Sequence, residues 1–166
     1  MKEEYVDIVD EDDSVIGSAS WHEMMSKGLL HRTSNVFVFN SKGELFVHRR
    51  ADNLRLYPGM WDVKFGGSVR AGESYEEAAK RELEEEANIA GVRCAELFRM
   101  KTRRKENNVN RAVFRCVHDG PLRLDQEEVA EGKFVSIEEA KKMQKEEKLS
   151  PSAVDVLTEF LRRTPQ

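Results

Sequence analysis

The chain has 166 residues, 39% of them apolar and 35% charged, with a formal net charge of −4. That length suits one domain that buries roughly 70% of its unfolded surface, and the acidic balance argues against a nonspecific nucleic-acid binder. No apolar run reaches the roughly 18 residues of a membrane span, and the opening MKEEY is acidic, so neither a span nor a secretory signal is expected and the expected location is the cytoplasm. Cys94 and Cys116 stand in apolar, strand-like contexts and read as two buried thiols.

Residues 5–10 (YVDIVD) and 14–18 (SVIGS) are β-rich runs parted by Glu11-Asp12-Asp13, a hairpin pattern. Ser20 with Glu23 forms a capping box that opens a short helix to about Lys27. Residues 34–40 and 44–50 flank Ser41-Lys42-Gly43, with Gly43 supplying the positive φ of a turn. Val36 and Val38 alternate there with Phe37 and Phe39, which predicts a strand covered on both faces. A loop with a Pro-Gly turn covers 51–60, and Trp61–Phe65 follows as a strand. Ser74 and Glu77 make a second capping box and start a helix near Tyr75. Its apolar stripe is Ala79, Leu83 and Ala87, while Glu77, Lys80 and Glu84 point to water. Two longer strands, about 95–105 and 109–118, bracket a turn at KENN. After Asp119-Gly120-Pro121 come an acidic loop (122–131) and a last strand at Gly132–Val135. Ser136 and Glu139 open a helix to about Lys148, and Ser150-Pro151 opens a terminal helix with Val154, Leu157, Phe160 and Leu161 on its apolar face. The element order predicts an α/β fold: an α/β/α sandwich around a mixed sheet, with residues 1–30 (hairpin and short helix) an extension packed on a domain of residues 31–166.

The chemistry concentrates in residues 66–89, GGSVRAGESYEEAAKRELEEEANI. At about 100° per residue, Glu82, Glu85 and Glu86 fall within about 100° of arc on one helix face. Like charges at such spacings repel by a few tenths of a kcal/mol per pair, and more when desolvated. A hard divalent cation with oxygen ligands removes that repulsion. Gly66-Gly67, just upstream, would let backbone approach a ligand or metal closely.

From Gly67 the chain runs five residues to Glu73, then seven to Arg81-Glu82-Leu83, one to Glu85-Glu86 and one more to Asn88-Ile89. This resembles the Nudix box, with Asn88 in place of the final glycine, where a left-handed residue ends the helix. The resemblance implies the Nudix fold and a hydrolase cleaving the diphosphate of a nucleoside diphosphate linked to another moiety. It implies that Glu82, Glu85 and Glu86 hold Mg²⁺ or Mn²⁺, with a carbonyl of the glycine pair, Gly66 in the first instance, as a further ligand. Glu85 would orient or deprotonate the attacking water, with Glu86 the other catalytic candidate. Gly67, Glu73 and Arg81 would be structural, the last two bracing loop against helix. Metals in such a site neutralise diphosphate charge and lower the pKa of bound water. Dimers are common in the superfamily, so a homodimer is also an expectation.

The stretches LLHRTSNVFVFNSKGELFVHRR and YPGMWD resemble the isopentenyl-diphosphate isomerase branch of the superfamily. The isomerases carry a catalytic Cys where this chain has Gly66, and a metal-binding His where it has Ser68. His31 matches one of their metal histidines, but its partner position is Met24. Around Glu106-Asn107-Asn108 an Asn falls where they use a glutamate. The chain is thus similar to isomerase-like Nudix hydrolases, with an isomerase or a noncatalytic nucleotide-binding domain as the alternatives. Arg49 or Arg50 could reach the diphosphate, and Lys101–Lys105 could meet phosphates or form a solvated edge. Of Glu127, Glu128 and Glu131 in the acidic loop, Glu128 or Glu131 is the candidate extra acid. Tyr57 could stack on a base, whereas Trp61 and His31 read as scaffold.

Overall fold

Strand β3 (His31–Phe39) is where the sheet is gathered. In the computed structural model, which describes residues 3–164, Val36 and Val38 enter one apolar cluster and Phe37 and Phe39 another. This is the period-two alternation of a strand with a core on each face. Along one side of β3, β8 (Asn107–Val117) runs parallel from His31↔Val109 to Phe39↔Val117, with β7 (Ala95–Arg104) antiparallel beyond it. Along the other side three strands follow in turn. β1 (Tyr5–Val9) meets His31, β6 (Phe65–Ser68) pairs with Thr33–Val36, and β4 (Leu45–Arg50) meets Phe39. β2 (Val15–Ser20) borders β1, while β5 (Trp61–Asp62) and β9 (Val129–Val135) both pair with β4.

Helices cover both faces of this open, mixed sheet. α2 (Tyr75–Ala87) lies on the Val36/Val38 face through Ala79, Leu83 and Ala87, as its stripe predicts. α3 (Ile137–Lys145) and α4 (Pro151–Arg163) cover the Phe37/Phe39 face through Ala140, Met143, Val156, Leu157 and Phe160. In α4 the buried stripe includes Ala153 and Val156, which the sequence reading omitted, whereas Val154 and Leu161 are only partly buried. α1 (Trp21–Lys27) closes a small satellite core of Val6, Ala19 and Met24 under the N-terminal hairpin. No helix among the described residues is long and apolar enough to cross a membrane. Cys94 and Cys116 are buried and unbridged.

Local signals hold where they are short-range. Ser20, Ser74 and Ser136 each accept a hydrogen bond from the backbone N–H three residues on, and Ser74–Glu77 is fully reciprocal. Gly43 (φ 79°) and Asn88 (φ 55°) are both left-handed. Several boundaries differ from expectation: β3 begins at His31 rather than 34, and β2 runs on to Ser20. The single strand expected over Trp61–Phe65 breaks at Asp62, whose Oδ1 accepts from the N–H groups of Val63 (2.8 Å) and Lys64 (3.2 Å). This side-chain turn hands Trp61–Asp62 to β4 and Phe65–Ser68 to β3, and so brings Gly66-Gly67 into the sheet. The last strand starts at Val129, because Arg50 and Arg49 of β4 pair with Val129 and Glu131. The KENN turn contracts to Lys105-Glu106. α3 stops at Lys145, where Glu147 turns left-handed (φ 58°).

Candidate active site

The capping box at Ser74 and the left-handed Asn88 fix both ends of α2, and its apolar stripe fixes its rotation. Glu82 and Glu86 are thereby held against β6. A Cβ on Gly67 would stand 2.5 Å from Glu82 Oε1, so only glycine lets that carboxylate rest on the strand. Gly66 has φ 151°, which L side chains rarely adopt, and a Cβ there would run into the Ser34 carbonyl. Its N–H instead donates to Glu86 Oε1 at 3.0 Å. Arg81 braces the group. Its guanidinium donates from Nε and Nη2 to the two oxygens of Glu73 (2.8 and 3.0 Å), from Nη2 to the Ser68 carbonyl (3.1 Å) and from Nη1 to Glu82 (2.8 Å). Arg81 also reaches Glu85 at 3.4 Å, and Arg70 lies 3.7 Å from the same carboxylate.

These surroundings set the charges. Burial, the Glu82 charge and the Glu128 charge push the Glu86 carboxyl well above the usual carboxylate range, against the Gly66 amide. Burial also raises Glu82, with Arg81 opposing. Glu73 goes the other way: desolvation would raise it, but Arg81 and the Arg70 amide hold it below its ordinary value. The donor set around Glu86 is all oxygen and its excess negative charge is uncompensated, which fits a hard divalent cation. Among the described residues no three acidic, histidine or cysteine side chains already converge as a closed cage, since Arg81 holds Glu82 and Glu85.

The acidic loop is strapped to the end of α2. Arg123 N–H donates to the Ala87 carbonyl (3.2 Å) and Asp125 N–H to that of Glu86 (2.9 Å). This brings Glu128, exposed like Glu127, toward the glutamates: desolvation and the charges of Asp125, Glu82 and Glu85 raise its carboxyl, with Arg50 opposing. Glu131 pairs with Arg49 instead (3.4 Å), and Arg49 also binds Asp52 (3.0 Å). Glu127 is exposed. Of the Lys101–Lys105 run, Lys101 and Arg103 bind Glu11 of the hairpin and Arg104 binds Asp155 of α4. Trp61 packs on the core with Lys133 over its ring.

A cleft of about 240 Å³ opens beside Gly66, Gly67 and Ser68. His31, Asn107 and Tyr57 line it, so the positions that match the isomerase machinery do share one cavity, while Met24 is buried in the satellite core. Burial lowers His31, whose Nδ1 lies 2.9 Å from the Leu29 carbonyl. Lys64, Asn35 and Arg111 also line this cleft, and sequence reasoning missed them. The available signal was parity: Arg111 sits two residues before inward-facing Val113. Burial lowers its guanidinium to about 10.

Comparison with known proteins agrees with this geometry. The NUDIX domain matches residues 29–159. An uncharacterized Nudix hydrolase of Pseudomonas aeruginosa, PA4841, is 42% identical over 139 residues, covering 81% of this chain and 82% of that protein. The uncharacterized Nudix hydrolase YfcD of Escherichia coli K12 is 40% identical over 136 residues, 82% and 76% of the two chains. Among solved structures, DR0079 of Deinococcus radiodurans superposes with a TM-score of 0.82 at 26% identity, covering 98% of this chain and all (100%) of that one. A MutT protein of Methanosarcina mazei gives 0.70 at 27% identity, with 82% and 96% covered. The chain belongs to the Nudix family and is a hydrolase acting on pyrophosphate bonds.

Proposed function

We propose that the protein is a divalent-cation-dependent hydrolase of the isomerase-like Nudix branch that cleaves a nucleoside diphosphate linked to another moiety. The observation that carries this reading is the Glu82–Glu86 pair, two carboxyls one helical turn apart, one of them 9% exposed, pressed on a strand of glycines. Glu82, Glu85 and Glu86, with the Gly66 carbonyl, would hold Mg²⁺ or Mn²⁺. A cation bound there supplies charge neutralisation for the diphosphate and a bound water of lowered pKa. The remaining work falls to the chain's own groups. Arg81 keeps Glu82 aligned and the Gly66 amide fixes Glu86, and Arg50, whose charge is felt at Glu128, would offset diphosphate charge. To Glu85, whose side chain is half open to solvent, we assign the orientation or deprotonation of the attacking water. Glu128 stands as an additional acid beside them. Gly66, Ser68 and Met24 favour hydrolysis over isomerisation, since they stand where the isomerases carry their cysteine and two of their metal-binding histidines.

The test is a panel of dinucleotides, nucleotide sugars, nucleoside triphosphates and CoA derivatives assayed with Mg²⁺ and Mn²⁺. Turnover should vanish with EDTA. Glu82→Gln and Glu86→Gln should each lose about a hundredfold or more in kcat, the scale on which loss of one electrostatic group at a reacting centre is felt. Unchanged turnover in both variants would overturn the assignment.

A further inference from the structure

The cleft beside the glycine strand lies on the face of the sheet opposite α2, since Asn35 and Arg111 share the parity of Phe37 and Val113. Arg111 is 3% exposed. Its Nη1 donates to Asn35 Oδ1, yet Nε and Nη2 have no acceptor, and the buried hydroxyl of Thr33 in the same wall is also unpaired. Nearby carboxylates are engaged elsewhere: Asp62 holds Lys64 at 3.3 Å, and Asp155 holds Arg104 at 2.7 Å. Folded proteins rarely retain buried charged donors without partners. Arg50, Lys64, Arg104 and Arg111 all line the cleft, against a single acid, the exposed Glu106. Ser150 and Ser152 line it too, so the positive end of the 13-residue helix α4 abuts the same space, and Ser150 makes no side-chain capping bond.

We propose that this cleft binds a phosphoryl group carried by the part of the substrate that is not cleaved, so that the enzyme prefers nucleoside diphosphate derivatives bearing an additional phosphomonoester. The inference rests on the hydrolase reading above. The donors on offer are two guanidinium N–H groups, a hydroxyl, an ammonium and a helix terminus. They exceed what the two oxygens of a carboxylate take and suit the three of a phosphoryl group. At about 240 Å³ the cleft is below the usual size for a whole nucleotide-sized ligand, and so suits one group of a larger molecule. Gly66 and Gly67 line it and also meet Glu86 and Glu82, so a phosphoryl group here is one strand's thickness from the diphosphate site. Arg50 stands between them, lining the cleft while its charge is felt at Glu128.

Two arms test this on the full chain. In the first, inorganic phosphate is titrated in EDTA and followed by thermal shift and calorimetry. The wild type should bind it, and Arg111→Lys, which keeps the charge but loses the fork, should bind roughly tenfold more weakly. Thr33→Val, which alters no charge, should also weaken binding, and Arg111→Gln should abolish it if that variant folds. No binding by the wild type, or equal binding by wild type, Arg111→Lys and Thr33→Val, overturns the pocket. Succinate binding as tightly as phosphate overturns the phosphoryl assignment. The second arm compares kcat/KM within matched pairs: NADPH against NADH, CoA against dephospho-CoA, and ADP-ribose with and without a 2′-phosphate. The phosphorylated partner should be favoured roughly tenfold to hundredfold, with Arg111→Lys erasing most of the preference. Glu86-dependent hydrolysis with no preference in any pair overturns the pocket alone. Arg111-dependent phosphate binding without hydrolysis of any substrate overturns the hydrolase reading and the subsite role, but not the anion site.

Discussion

Glu86 bears two opposed demands, because the burial that aims it at Gly66 also disfavours its charge. Glutamine reproduces the protonated form, accepting from the Gly66 amide and donating to Glu82. In metal-free protein Glu86→Gln should therefore raise stability even as it removes activity. Urea denaturation in EDTA reads this, and a destabilised variant would contradict the like-charge strain. Gly67→Ala tests the other side of the contact. With Glu82 Oε1 2.5 Å from the new Cβ, the carboxylate must shift, and turnover should drop at least about tenfold while the fold survives. At this scale the sequence was legible wherever spacing alone decides. Glu82, Glu85 and Glu86 share a face by helical geometry, and Gly67 stands at a fixed distance from Glu73. Arg111 and Lys64 were not legible. A cation in a run read as a strand ordinarily passes for a solvated edge, and for Arg111 the cover comes from the start of α4, some forty residues further along the chain.

Elements in this protein are held by a few polar residues set in turns. Asp13, left-handed at φ 64°, accepts from Arg32 (3.0 Å), Asn110 (2.9 Å) and the Tyr75 hydroxyl (2.9 Å). It thereby ties the hairpin to β3, β8 and the first residue of α2. Desolvation opposes its charge, but those three donors hold its carboxyl below the ordinary 3.8. The sign follows from that depression. The contribution is complete above about pH 4 and is lost as pH falls through the folded value. Asp13→Asn should cost about 1–3 kcal/mol at pH 7, and the gap from wild type should narrow at pH 3. A gap that stays constant across that range would falsify the ionic account. The hairpin also reaches the active-site loop, where Ala71 N–H donates to the Tyr5 carbonyl (2.8 Å) and Gly72 N–H to Asp7 (3.1 Å). Capping boxes could be read in advance because serine and glutamate act across three residues. The early start of β9 could not, because the partner strand sets it, and the break at Asp62 was hidden because its side-chain turn interrupts a run whose residues otherwise read as one strand.

On the scale of the whole molecule, two chemistries share one sheet: acids on the α2 face and cations on the α4 face. The α/β/α layering was readable from the alternation in 36–39 and from the order of elements, while the meeting of the two faces at Gly66-Gly67 depended on which strand β6 joined. Two buried imidazoles give this assembly an acid limit. Burial lowers both His31 and His48 from 6.5, against the backbone carbonyls they contact (Leu29 at 2.9 Å, Lys64 at 2.8 Å). The unfolded chain then takes up these protons first. Stability is complete above about pH 6.5 and declines as pH falls toward the folded values. The raised carboxyls of Glu82 and Glu86 act in the opposite sense over this range, so the test is a comparison: between pH 8 and pH 5 the urea midpoint should fall more, or rise less, in the wild type than in His48→Gln.

The position of β3 has one more consequence, for how the enzyme fails when heated. β8 borders its full length on one side, and β1, β6 and β4 succeed one another on the other. Such a strand opens only with the molecule as a whole, and its amides should be among the slowest to exchange with deuterium. The glutamate site reaches β3 through β6, and the cationic cleft is built partly on β3 itself. Neither can loosen ahead of the fold, so thermal inactivation and global unfolding should coincide on one curve, with no warmer interval of folded but inactive protein.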